Sequence, residues 1–320
     1  MKPWISLLLF LLAAPAGAAE SDRAEELTRR VYCLHAVSKD LLATGTTYGL
    51  VLYRLNDRGF PTRAGALQLD DAVTAITSRD DLVFVGNGPR GLVVVDVSDP
   101  DAPALVTRLE LPGAVLRLLR GGDELYVAMG TMGVGVIDVS KPRAPTLAKR
   151  IKVDGSTRDL CYGRGGFMVA ADSFAWVQRP RASFPHVSYT GIMKPSAVVG
   201  QEQFLVNFLV AGQSKIIMVD AEGFVAGGGQ VMSFGDEIRD LEKLPHGVAV
   251  AASSDGLILL AIDGSKNTIA ARLDPGGACN RVHARGDLLF ATADAYGFAV
   301  YNVKDLKAPV KIYPADVPEP

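Results

Sequence analysis

Cysteine, histidine and tryptophan are scarce in this chain: 320 residues include only 3 cysteines, 4 histidines and 2 tryptophans. Cys33, Cys161 and Cys279 are odd in number, and their spacings match no zinc pattern. Neither a disulfide-dense scaffold nor a structural zinc site is expected. The histidines, His35, His186, His246 and His283, are too dispersed for three of them to be gathered around one metal. Two tryptophans cannot supply a repeated indole layer around a quinone cofactor. Charge of one sign is also missing. Lys and Arg number 33 against 35 Asp and Glu, a net of −2, with no basic stripe. Nucleic acid therefore finds no electrostatic footprint, and 7% aromatics make a poor base-stacking platform. No Gly-x-Ser-x-Gly elbow, HExxH pair or phosphate-binding glycine loop occurs. The reading is a non-catalytic chain with no cofactor and no metal.

The one marked apolar run is at the start. Lys2 precedes Ile5 to Ala14, Pro15 breaks the run, and Ala16-Gly17-Ala18 offers small residues at a cleavage site. This reads as a secretory signal peptide over 1–19, cut after Ala18 or Ala19; the run is too short to span a bilayer. No cysteine at the junction suggests a lipid anchor. No later segment holds about 18 uninterrupted apolar residues, so no membrane span is expected in the mature chain. The chain is thus expected to be exported, to the periplasm or beyond the cell. Residues 20–28 read as a flexible lead and 317–320 as a tail.

What the chain has in quantity is a repeat. Gly91-Leu-Val-Val-Val-Asp96-Val-Ser98-Asp-Pro100-Asp-Ala-Pro103 returns as Gly133-Val-Gly-Val-Ile-Asp138-Val-Ser140-Lys-Pro142-Arg-Ala-Pro145, 42 residues on. Gly49 to Tyr53 with Pro61 stands 42 residues earlier, and Gly297 to Val303 with Pro309 closes the series. Between them, Ile216 to Asp220 and Gly256 to Asp263 keep the apolar run without the proline. Seven copies result: 29–71, 72–113, 114–155, 156–195, 196–235, 236–278 and 279–316. Each shows short alternating or apolar runs divided by Gly, Pro, Asp and Ser, which is the pattern of four strands. Four strands every 42 residues predict an all-β, seven-bladed β-propeller of four-stranded antiparallel blades behind a signal peptide. The third strand is apolar on both faces because each blade is covered by its neighbours. Asp96, Asp138, Asp220 and Asp263 then cap the turn after that strand, in preference to sharing a metal.

The 91–103 string, with its echoes at 133–145 and 297–309, resembles the LVIVD-repeat family of secreted bacterial and archaeal β-propellers. The resemblance is specific in copies two, three and seven, fair in copy one and weak in copies four to six, where Ala175-Trp-Val-Gln-Arg replaces the aspartate string of copy four. It implies an exported propeller and brings no catalytic motif.

Aligned on their second strands, the copies place Tyr32-Cys33, Val73-Thr74, Leu116-Arg117, Arg158-Asp159, Pro195-Ser196, Arg239-Asp240 and Cys279-Asn280 at the start of the channel-lining strand, with Arg281 next. Arg117, Arg158, Asp159, Arg239, Asp240, Asn280 and Arg281 are the candidate mouth residues. They either pair with one another around a wet channel, or bind a small anion or a partner's acidic side chain, or hold a cation between Asp159 and Asp240. Arginine's planar fork ranks the anion above the cation. By analogy with other propellers the turns between second and third strands share this face. Tyr48, Arg90, Met132, Phe174 and Tyr296 there form a candidate protein-binding rim. Cys33 and Cys279, one on the first and one on the last blade, either form a disulfide that clasps the ring or fill the core as free thiols; Cys161 reads as a core thiol. The function expected is that of a monomeric module which binds another exported or envelope protein through rim and mouth. The alternative is a small-molecule or anion binder, or a hydrolase, with its site at the mouth.

Overall fold

The computed structural model describes residues 30–163, 166–178, 187–193, 195–200, 204–210, 213–219, 232–235, 237–263, 266–294 and 297–314. The expected signal peptide, the lead, the tail, Asp220, His186 and Tyr296 lie outside them. Among the described residues the strands form seven four-stranded antiparallel sheets, spanning 31–68, 75–109, 117–151, 159–193, 195–234, 240–273 and 282–313. Within each, strands pair in chain order, so one hairpin follows another. Such local pairing needs only short turns.

The innermost strands are Val31–Ala36, Ala75–Arg79, Arg117–Gly121, Asp159–Gly163, Pro195–Gly200, Asp240–Leu244 and Val282–Arg285. Each approaches the next in this order, and Val282–Arg285 returns to Val31–Ala36. Among the described residues six hydrophobic clusters lie between neighbouring sheets. One joins the first sheet to the second around Leu50, Val83 and Val93. Another joins the seventh sheet to the first, through Leu42, Val51, Tyr53, Phe290, Phe298 and Val300. Among the described residues each such cluster draws on two neighbouring sheets, so a sheet's face is dry only when its neighbour is present.

Local chemistry explains the recurring details. Leu92 to Val95 are fully buried, as a strand covered on both faces must be. Gly91 precedes that strand with φ +87°, and Gly133 has φ +79° at the matching place. A Cβ on either would lie 2.4 Å from the carbonyl oxygen of Leu109 or Ile151, so only glycine fits. After the strand, Asp96 accepts a hydrogen bond from the Ser98 backbone N–H at 3.0 Å, and Asp138 one from Ser140 at 2.8 Å. Bonds from Ser98, with Arg143 alongside, pull the Asp96 carboxyl down to about 2. The turn-capping role expected of these two aspartates is the one the structure shows. A register shift between third and fourth strands, as at Val94/Val95 and Val136/Ile137, recurs in several sheets and has no signature in the repeat.

Candidate functional site

Backbone hydrogen bonds tie the second-to-third-strand turn of one sheet to the entry of the next innermost strand. Val73 N–H donates to Thr46 O, Val115 to Gly88 O, Thr157 to Gly130 O and Cys279 to Ser253 O, all at 2.9–3.0 Å. Turns and strand entries therefore share one face, where Tyr48 and Met132 are 45% and 41% exposed and Arg90 is exposed. Tyr32, 40% exposed, joins them through its phenol, which accepts from Thr47. Phe174 is described only as part of the strand Ser173–Gln178.

At the centre of this face an open cavity of about 540 Å³ is lined by Tyr32, Thr74, Leu116, Arg158, Arg239 and Asn280, among others. Arg158 turns outward here, donating to Ala171 O and pairing with Asp172 at 3.0 Å. Arg239 is similarly exposed and pairs with Glu237 at 3.0 Å. The next residues along the strands behave differently. Arg117 reaches Asp159 of the adjacent sheet at 2.8 Å and Asp240, from the sixth sheet, at 2.6 Å. Both carboxylates are buried, Asp240 completely. Arg281 lies 3.7 Å from Asp240, which also accepts from Val282 N–H at 3.1 Å. Burial works against the Arg117 charge, but Asp240, Asp159 and Glu242 overcome it and hold the guanidinium above its ordinary value. Of the readings open for the mouth, mutual pairing is what the geometry of Arg117, Asp159, Asp240 and Arg281 displays. The seven candidates fall into two layers: Arg158, Arg239 and Asn280 line the open mouth, and Arg117, Asp159 and Asp240 form an ion-paired plug beneath them, its carboxylates buried and its guanidinium half-buried, while half-buried Arg281 lines the mouth and also reaches the plug.

Of the two readings left open for Cys33 and Cys279, the structure has the free core thiols and no clasp. Cys33, Cys161 and Cys279 are all free and buried. Strand register explains it. Cys33, Ala75, Arg117, Asp159 and Asp240 stand opposite Gly45, Gly86, Ala128, Ala170 and Ala251, and the corresponding residue of the seventh sheet is Arg281, whose carbonyl accepts from Thr292 N–H. The sequence alignment is thus one residue out in copies two and seven, and such a slip reassigns side chains to the other face. Cys33 packs between the first and second sheets and donates to Val73 O, whereas Cys279 packs between the sixth and seventh. The whole apolar seam between seventh and first sheets separates them. Burial pushes the Cys33 thiol up to about 12, and raises Cys161 and Cys279 also, so none is a ready nucleophile.

Beyond the plug, a second cavity of about 410 Å³ carries residues not chosen from the sequence. His35 Nε2 lies 3.0 Å from Ser78 Oγ, and its ring centroid is 4.7 Å from that of His283. His283 Nδ1 is 3.4 Å from Glu242 Oε1, which accepts from Ala284 N–H at 3.1 Å. Ser78 and His35 are at nucleophile–base distance. Burial, then His283, Arg285 and Arg120, hold His35 well below its ordinary 6.5, so it is a weak base for that hydroxyl. The available signal was the matching place of His35 and His283 within their copies. Among the described residues no group of three His, Cys, Asp or Glu side chains is arranged to hold a metal ion. No helix there is long and apolar enough to cross a membrane.

Comparison with known proteins agrees with this architecture. The LVIVD repeat model matches residues 76–110 and 121–153. No curated protein matches the chain. Among solved structures, the WD40 β-propeller domain of Doa1 is 12% identical over 85% of this chain and 91% of its own, with a TM-score of 0.67. The Cps50 (Swd1) β-propeller domain of Myceliophteria thermophila is 13% identical over 86% and 97%, with a TM-score of 0.63. U3-55K is 12% identical over 83% and 89%, with a TM-score of 0.65. At these identities the likeness is one of fold. The first match takes in the second sheet and the later one the three outer strands of the third. The chain therefore carries LVIVD repeats at 76–110 and 121–153, set in the four-stranded sheets of a β-propeller.

Proposed function

We propose that the mature chain is an exported, seven-bladed propeller that binds another envelope or secreted protein through the face bearing Tyr32, Tyr48, Arg90 and Met132, and does no chemistry there. One observation carries this reading. Aromatic, methionine and arginine side chains are exposed together around a mouth beneath which Arg117, Asp159 and Asp240 are already paired with one another. Such side chains are the usual anchors of protein interfaces. Those internal pairs leave the exposed rim as the surface offered to a partner, and the mixed charges of Arg158, Asp172, Arg239 and Glu237 beside it suit a polar interface edge. Export rests on the leader in 1–19, and the ring of seven on the seam joining the last sheet to the first.

The test is site-specific photocrosslinking in the native cell. A photoreactive residue at Tyr48 or Met132 should yield a discrete adduct that weakens when Arg90→Glu is added. The same residue at Val310, exposed on an outer strand, should yield none. Equal adducts from all three positions would defeat the proposal.

A further inference from the structure

We propose that the cavity beyond the plug is a binding site for a small oxyanion, a carboxylate or a phosphate-like group, held by Ser78, Arg120, His35 and His283 and taken up together with a proton. This goes beyond the protein-binding face, since Ser78, Arg120, His35 and His283 line this chamber and not the mouth cavity, and of the residues around the two only Arg281 is common to both.

The lining decides the sign of the ligand. Arg117, Arg120, Arg281, His35 and His283 line the chamber, and Glu242 is the carboxylate among its lining residues. Asp159 and Asp240 balance Arg117 from within the plug. Glu242 faces Nδ1 of His283 and leaves the Nε2 edge clear of that carboxylate. Arg120 and Arg285 are exposed at the chamber's far end, and Arg285 Nη1 donates to Ala36 O at 3.2 Å. Ser78 Oγ adds a hydroxyl beside His35. A volume of about 410 Å³ suits a small ligand with accompanying water.

Proton coupling follows from what surrounds His35. The second sheet presents Thr77 and Ser78; the third, Arg117 and Arg120; the fourth, Cys161 and Tyr162. The innermost strand of the fifth, Pro195–Gly200, has no titratable side chain. The sixth presents Glu242, and the seventh Arg281, His283 and, beyond the lining, Arg285, while Cys33 shares His35's own strand. Burial first, then His283, Arg285 and Arg120, disfavour the charged form of the His35 ring. An anion seated among them offsets those cations and draws a proton onto the ring, so each event favours the other.

Calorimetric titration of the full mature chain with sulfate, and separately with lactate, tests this at about pH 5.5 and about pH 8, where both probes stay ionised and histidine changes charge. Binding of at least one probe should tighten about tenfold or more at the lower pH. Sulfate alone would indicate a tetrahedral ligand, lactate alone a carboxylate, and either supports the site. His35→Gln should abolish the pH dependence, Arg120→Gln should weaken binding at both pH values, and Arg158→Gln at the opposite mouth should change nothing. If His35→Gln does not fold, ring nitrogen shifts of His35 in the unaltered chain should report protonation at higher pH once the probe is added. No binding of either probe at the lower pH, equal affinity at both, or loss through Arg158→Gln in place of Arg120→Gln would overturn the proposal.

Discussion

Arg117→Met is the most incisive perturbation of this molecule. The guanidinium spans from Asp159 at 2.8 Å to Asp240 at 2.6 Å, joining residues 123 positions apart in the chain. Methionine keeps much of the apolar stem and removes the charge, leaving two buried carboxylates without it. Breaking a buried pair from one side costs about 3–5 kcal/mol, because the surviving charge keeps its desolvation penalty. Two features place the value toward the lower end. Asp240 keeps the Val282 N–H and the more distant Arg281, and Asp159 keeps the Leu160 N–H at 2.9 Å. At roughly 2 °C per kcal/mol for a chain this large, the melting temperature should fall by about 6–8 °C. The informative control is Arg117→Met with Asp159→Asn and Asp240→Asn, which removes the stranded charges and should recover much of the loss. Calorimetry or circular dichroism at neutral pH and moderate salt is sufficient. A loss below about 1 kcal/mol in the single variant would mean that water screens the pair as it does on a surface. The plug would then not behave as a buried ion-pair network.

Four further outcomes are expected. Native protein should offer no thiol to a water-soluble disulfide reagent, and unfolding without reductant should release all 3; release of only one would restore the Cys33–Cys279 bridge. Gly91→Ala should destabilise by about 1–3 kcal/mol in denaturant titration, since a Cβ meets Leu109 O at positive φ, and an unchanged midpoint would refute that geometry. Asn87 is fully buried with no side-chain partner among the described residues, where Met129, Ala252 and Ala293 occupy the corresponding turn positions, so Asn87→Ala should stabilise by about 1 kcal/mol; a loss instead would show that the amide is satisfied by bound water. Because His35 is depressed below 6.5, the unfolded chain takes up its proton first as pH falls. Stability should therefore drop below about pH 6.5, by up to about 1.4 kcal/mol per pH unit, and His35→Gln should flatten the profile.

Strand order, turn positions and the mutual burial of sheets could be read directly from the chain, because each rests on local rules. Alternation with period two, glycine where φ is positive, and aspartate capping the next turn all act within a few residues. Innermost positions such as Leu34, Ile76, Leu118, Leu160, Leu241 and Val282, buried in all the copies they represent, belong to that local code. Which charge meets which does not. Arg117 and Asp240 are neighbours only because the sheets come round a common axis, and no spacing along the chain encodes the distance across it. The same holds for His35 and His283, brought within one ring contact at the seam of first and last sheets. The cysteines show how fine the margin is. A shift of one residue along the seventh sheet's innermost strand puts Arg281 in place of Asn280 in the central layer, where it faces a buried aspartate, and leaves Cys279 outside that layer as a core thiol.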